Sequence, residues 1–297
     1  MKLLYHQALF PIASPCYKPL PSDLFTVLPP TVEAVPIVAN LPHSGLQVPA
    51  HIADTFIPEH LSSLPNSDWH LQQLYDFLPT LGITVLQANY SRYVVDLNRA
   101  LKPPLLGSFW SAVVAEDTAY KRPIYQRKPS HAEVRSRIDE YYHPYHHQLA
   151  ALLNEAIARF GQVTLLDLHS FMGLIDDEVC LGNANGQTCT PSLIESVASC
   201  FTQQEYQVVQ NKVFTGGYIT RHYGMQPNVS ALQIELRYPT YLPADQIADY
   251  ASDPKQSLQK SSPQESLPAI PHYQGPAFNQ ARDRLRQVFS AICSIKL

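Results

Sequence analysis

No stretch of the chain approaches the ~18 uncharged apolar residues that a membrane-spanning helix needs, so a membrane protein is not indicated. A long basic run is also missing, and the formal net charge over 297 residues is −4. Nucleic acid and anionic membranes are poor partners for such a surface, because few cations are gathered to displace counterions from phosphates. The five cysteines (Cys16, Cys180, Cys189, Cys200, Cys293) are odd in number and include no C-x-x-C pair. That excludes a thiolate zinc site and a disulfide framework, and it leads us to expect reduced thiols in a cytoplasmic protein. The opening MKLLYHQALFPIA has one lysine, an apolar run broken by His6 and Gln7, and a proline where a cleavage site would need small residues, which argues against a signal peptide. Neither Ser44 nor Ser170 lies in a G-x-S-x-G elbow, and Gly216-Gly217 lacks the rest of a phosphate-cradling motif.

What is present is an ordinary globular composition, 45% hydrophobic and 15% charged. Residues 1–34 are proline-rich and aperiodic, so a surface arm is expected there, followed by one domain over 35–297. Apolar runs at Ala34–Asn40, Ile83–Ala88, Tyr93–Leu97, Val163–Leu166, Val208–Phe214 and Ala231–Leu236 read as strands. Helices are expected over Ser67–Leu81 with Ser67 as cap, over Ser130–Phe160 with a capping box and a kink at Pro144, from Thr190 to Phe201, and over Asn279–Ile295. Lys102–Lys128 reads as a long functional loop, and residues 252–275, rich in Ser, Gln and Pro, as a mobile insertion. Strands alternating with helices give an α/β three-layer sandwich around a mixed sheet.

Several of these strands end in polar groups, and the carboxyl ends of strands are where α/β sheets bind ligands. Val163–Leu166 leads into Asp167, His169 and Ser170, and Ala34–Asn40 leads into His43. Two histidines and a carboxylate, with Asp68 as candidate, match a catalytic zinc site that keeps a position for water. With 12 histidines in the chain such triples also arise by chance, and Asp68 has a plainer reading as a first-turn carboxylate favoured by a helix dipole. Alternation in Gln233-Ile234-Glu235-Leu236 puts Gln233 and Glu235 on one face, and Glu235 is the candidate general base and acid. Asn98-Arg99 at a polar turn suits a substrate carboxylate, with Arg92 and Arg221 available for an oxyanion or a second carboxylate. A small acidic molecule is the substrate these cations fit. His143, His146 and His147 share a helix but lack the H-E-x-x-H carboxylate, so packing and supporting hydrogen bonds are expected of them, with His146 close to the site.

Seven segments in order, PHSG (42–45), SDWHLQQLYDF (67–77), YSRYVVDLNR (90–99), YYHPYH (141–146), DLHS (167–170), GGYITRHYG (216–224) and LQIEL (232–236), resemble the N-formylglutamate amidohydrolases. The likeness runs from about residue 36 to 241 and implies a fold like that of the zinc carboxypeptidases and aspartoacylases. It implies hydrolysis of N-formyl-L-glutamate to formate and glutamate, the closing step of one histidine-degradation route, with one zinc or other divalent ion. His43 and His169 are implied as ligands, Glu235 as the catalytic carboxylate, and Asn98 with Arg99 as the carboxylate clamp. The third ligand stays open, Asp68 being the candidate, since Gln72 stands where relatives often carry a second aspartate. Asn183 stands where relatives commonly have threonine, a change that would bear on the acyl group if its loop lined the pocket. The alternatives are a deacylase of another N-acyl acidic amino acid and a ligand-binding relative without turnover.

Overall fold

The computed structural model describes residues 23–251 and 269–295. Most of the expected arm (1–22) and of the expected insertion (252–268) lies outside the described residues. In chain order the strands are β1 (Phe25–Leu28), β2 (Ile37–Leu41), β3 (Thr84–Ala88), β4 (Leu106–Gly107), β5 (Val114–Ala115), β6 (Val163–Phe171), β7 (Val179–Gly182), β8 (Val208–Gln210) and β9 (Val229–Arg237). The helices are α1 (Ala50–Ala53), α2 (Pro58–Ser63), α3 (Leu71–Leu74), α4 (His131–Arg137), α5 (His143–Phe160), α6 (Pro191–Gln203), α7 (Tyr218–Gly224), α8 (Ala244–Ala251) and α9 (Pro276–Cys293). Seven strands form one mixed sheet in the order β1-β3-β2-β6-β9-β7-β8, and β4 pairs with β5 apart from it.

Strands β3, β2, β6 and β9 run parallel, so their carboxyl ends open on the same edge. β7 lies antiparallel to β9, and β1 antiparallel to β3. Side chains alternate between faces. Ile37, Ala39, Leu166, Leu168, Leu232 and Ile234 join a core with Val197 of α6 and Phe289 of α9. Val38, Leu165 and Ala231 join a second core with Leu149 of α5 and Ile219 of α7. Two apolar cores on opposite faces of a sheet make the three layers expected.

Caps come out as the sequence indicates. Ser130 accepts from the Glu133 amide while Glu133 accepts from the Ser130 amide, Thr190 caps α6 ahead of Pro191, and Gly161 closes α5 with φ 83°. The break expected at Pro144 falls one turn earlier, as a π turn over Ile138–Tyr142. Proline has no N–H to give the carbonyl four residues back, and an extra residue in the preceding turn accommodates that loss.

Other expectations fail for tertiary reasons. Phe25–Leu28, within the expected irregular arm, adds an edge strand beside β3, and Pro29-Pro30 ends it. Tyr93–Leu97 is buried on all sides like a strand but turns: Val94 N–H bonds Ser91 O and Asp96 N–H bonds Val113 O. The helix expected over Ser67–Leu81 breaks into α3 and a 3-10 turn at Leu78–Leu81, because His70 adopts φ 61° and Pro79 interrupts the run. Val208–Phe214 keeps only three strand residues. Among the described residues Cys180, Cys189, Cys200 and Cys293 are free thiols, and no helix is long and apolar enough to cross a membrane.

Candidate active site and metal donor set

His43 follows β2, His169 lies inside β6, and Asp68 sits in the turn before α3. The chain brings all three together, buried: their donor atoms lie within 4.8 Å of one another, and the two rings are 4.9 Å apart. Asp68 is not the capped helix-start residue that the sequence suggests, since Ser67 makes no cap and α3 begins at Leu71. The turn is held from outside instead. Tyr238 Oη donates to Ser67 O, Tyr241 Oη to Trp69 O, and Asp68 N–H to His43 O. Gly45, just after His43, permits a backbone approach to Asn89 that a Cβ would obstruct.

Each histidine has one ring nitrogen on Asp68 and the other on a second buried carboxylate. His43 Nδ1 is 3.8 Å and His169 Nδ1 3.0 Å from Asp68 Oδ2, while His43 Nε2 is 2.7 Å from Asp96 and His169 Nε2 3.2 Å from Asp167. Orientation of a ligating imidazole by a carboxylate on its far nitrogen is the usual support of a metal ligand, so the two Nδ1 atoms and an Asp68 oxygen fit a divalent cation such as zinc. Asp96 and Asp167 went unnoticed as supports in the sequence. Asp167 had a usable signal, since two residues before His169 on a strand puts both on one face.

Electrostatics separate the histidines. Burial and the Arg92 charge lower the His43 pKa to about 4, against the pull of Asp96 and Asp68. Burial also opposes a charge on His169, but Asp167 and Asp68 outweigh it and hold its pKa well above the ordinary value. Burial would raise Asp96, yet Arg92, His43 and Arg99 keep it well below the usual carboxylate range.

Glu235 lies beside His169 in the β6–β9 register, as alternation requires. Burial raises its pKa to about 8, with His169 opposing and Asp68 adding. Gln233 Nε2 donates to Glu235 at 2.6 Å, and the Gly217 amide donates to Gln233 Oε1. The cavity above these groups has a volume of about 430 Å³. The expected loop over Lys102–Lys128 supplies part of its wall, through Phe109, Trp110 and Tyr120.

Arg92, Asn98 and Arg99 all line the cavity. Arg92 donates to Asp96 and to Asn66 O, its Nε is unpartnered, and it lies 4.4 Å over Phe109. Arg99 is tethered to Phe109 O and Asn98 O. Asn98 Oδ1 accepts from the Ile219 amide and its Nδ2 lies 3.1 Å from His169 Nε2, so this side chain positions the turn as well as facing the cavity. Arg221 is not brought to the site. It is exposed on α7, donates to Gly216 O and Thr215 Oγ1, and does not line the cavity. Asn183 lies outside the cavity too, buried against Asn211, Gly186 and Cys189.

His146 reaches the site indirectly, bonding Leu97 O with one ring nitrogen and Tyr223 Oη with the other. Tyr142, in the π turn, donates to Arg99 O. Ser44 donates to Leu41 O, and Ser170, which lines the cavity, is hydrogen-bonded to Tyr241 Oη.

An α/β sheet whose strand ends gather histidine and aspartate donors, a carboxylate of raised pKa and two guanidinium groups has the make-up of a hydrolase centre. The comparison with known proteins makes this particular: residues 35–242 match the N-formylglutamate amidohydrolase family, and the chain belongs to it. It is 34% identical over 238 residues to an N-formylglutamate deformylase of Pseudomonas putida, covering 76% of this chain and 88% of that one. With the Pseudomonas aeruginosa N-formylglutamate deformylase the identity is 37% over 230 residues, covering 73% and 85%. The crystal structure of N-formylglutamate amidohydrolase from Ralstonia eutropha JMP134 superposes with a TM-score of 0.70 at 27% identity, covering 91% of this chain and 96% of that chain.

Proposed function

We propose that the chain hydrolyses the amide bond of N-formyl-L-glutamate, giving formate and L-glutamate. The family resemblance supports the substrate, and the observation that carries the chemistry is the meeting of Glu235, Arg99 and the His43–Asp68–His169 donors in one buried cleft.

Arg99, with Asn98 beside it, holds a substrate carboxylate, for which a guanidinium is a planar two-pronged match. That grip sets the formyl carbon beside Glu235. Glu235 removes a proton from the attacking water, whose oxygen bonds the formyl carbon. As the C–N bond breaks it returns that proton to the leaving nitrogen. A raised pKa suits a group that must both take and give a proton near neutral pH. Arg92 also lines the cavity, and its guanidinium charge favours the carbonyl oxygen as it gains charge. His43, Asp68 and His169 would hold one zinc or similar divalent ion, whose chemistry when bound is to polarise the carbonyl and make water more acidic.

Free thiols at Cys180, Cys189, Cys200 and Cys293 suit a reducing compartment, and the cytoplasm is the location this reading assigns. The test is glutamate release from N-formyl-L-glutamate by the purified protein, before and after chelation, with elemental analysis of the protein as isolated. The reading requires activity that chelation abolishes and a divalent ion restores. Absence of turnover in a metal-replete sample would refute it.

A further inference from the structure

The cavity changes character along the strands. At its inner level Asp167 pairs with Gln233, and Asn98 and Gly217 crowd in beside them. At the middle level His169 pairs with Glu235. One step further out, ~7 Å along β6 for two residues, stands Phe171. Here the lining turns apolar. Phe171 meets Phe214 at a ring distance of 5.0 Å, and Met172, Leu174 and Val213 continue the wall. Leu174 and Val213 are 59% and 40% exposed, and Trp110 across the mouth is 51% exposed, its indole fixed to Ala119 O. Large apolar side chains left in water around a cleft mark a surface that takes up apolar ligand atoms.

In an N-acyl amino acid the carboxylate and the acyl substituent lie on opposite sides of the amide. With the carboxylate held from the Asn98 side, where Gly217 and Gln233 close the inner level, and the acyl carbon beside Glu235, the substituent points outward to Phe171, Phe214 and Leu174. A formyl carbon bears only hydrogen and leaves that wall bare. We infer that the outer half of the cavity is an acyl subsite, and that the enzyme also hydrolyses N-alkanoyl-L-glutamates with unbranched chains of several carbons. The inference rests on the deformylase reading and widens its substrate class. The step is balanced as before: water's oxygen bonds the acyl carbon, the C–N bond breaks, the nitrogen takes a proton, and an alkanoate leaves with glutamate.

The experiment measures kcat/KM of the full-length protein for N-formyl-, N-acetyl-, N-butanoyl- and N-hexanoyl-L-glutamate by glutamate release. From acetyl to hexanoyl it should rise, by up to about fourfold for each methylene the wall covers. Leu174→Asp, a change at an exposed position, should lower the hexanoyl-to-acetyl ratio at least tenfold. A ratio that is flat or falls with chain length, or that Leu174→Asp leaves untouched, overturns the subsite alone if N-formylglutamate is still hydrolysed. Failure on every substrate, formyl included, overturns the deformylase reading and the subsite with it.

Discussion

His43 and His169 face the same aspartate, yet the protein supports them in opposite ways. Asp96, behind His43, is neutralised by charge: Arg92 at 2.7 Å and Arg99 at 4.0 Å, on a turn that borders the cavity. Asp167, behind His169, is held by that ring first, and its other partners are neutral groups within the layers. Asn40 donates to it at 2.8 Å and Thr220 at 2.9 Å, and Tyr145 Oη donates in turn to Asn40. A carboxylate compensated by guanidinium groups shares its partners with the substrate site. One compensated by amide and hydroxyl dipoles is committed to the fold. One arm of the donor set is therefore tied to the cavity wall and the other to the sheet.

The strongest test of this division separates the supporting carboxylates from the one that handles protons. Glu235→Gln should lower kcat by about 10²–10⁴-fold while elemental analysis finds the metal retained. Loss of metal would make Glu235 a ligand and dissolve the distinction. Next in size, Asp96→Asn and Asp167→Asn should each weaken divalent-metal affinity by about 10–100-fold in a chelator competition. At saturating metal only Asp96→Asn should keep a depressed kcat, because it also releases Arg92. Equal recovery of both variants would show that the two arms do not differ. Arg99→Lys should raise KM by about tenfold with little change in kcat, since a point charge replaces a two-pronged grip. An unchanged KM would move the carboxylate clamp elsewhere.

The smallest effect lies away from the site and contrasts its paired histidines with an unpaired one. His60 is buried against Phe56 and Tyr93, neither ring nitrogen has a hydrogen-bond partner, and burial lowers its pKa to about 4. The unfolded chain therefore binds the proton first as pH falls, and this site's contribution, intact above about pH 6.5, declines between 6.5 and 4. His60→Phe should flatten that acid limb, visible as a Tm difference of about 2–4 °C between wild type and variant at pH 5 relative to pH 7.5. Parallel pH profiles would mean that the buried ring is not what the acid finds.

Strands β2, β3 and β6 were legible as buried apolar runs and β9 from its alternation, and so were the caps Ser130 and Thr190, whose partners are local. Turn 93–97 was not, because its strand-like apolar residues are buried in the core while its backbone bonds go to Ser91 and Val113. His43 and His169 could be found from polar residues after apolar runs, and Glu235 from strand alternation. Asp68 could be named but not understood, since the tyrosines that hold its turn come from positions 238 and 241, far along the chain. The placement of Arg221 outside the cavity lining was not legible for a related reason: charge in a polar passage says nothing of which way α7 turns it.

The π turn at Ile138–Tyr142 sets the rotational phase between two helical segments. Tyr142, its last residue, and His146, in the first turn of α5, both reach back to carbonyls of the 97–99 turn, and their rings lie 4.3 Å apart. Deleting one residue from that turn would swing everything on its amino-terminal side by about 100° while α5 stayed seated on the sheet. Arg137, just before the turn, would then lose Val94 O and Tyr125 Oη although no residue of the cleft had been altered. Length within this turn is therefore constrained as well as sequence, and an insertion or deletion between residues 138 and 141 should loosen the 93–97 turn that Arg137 ties down.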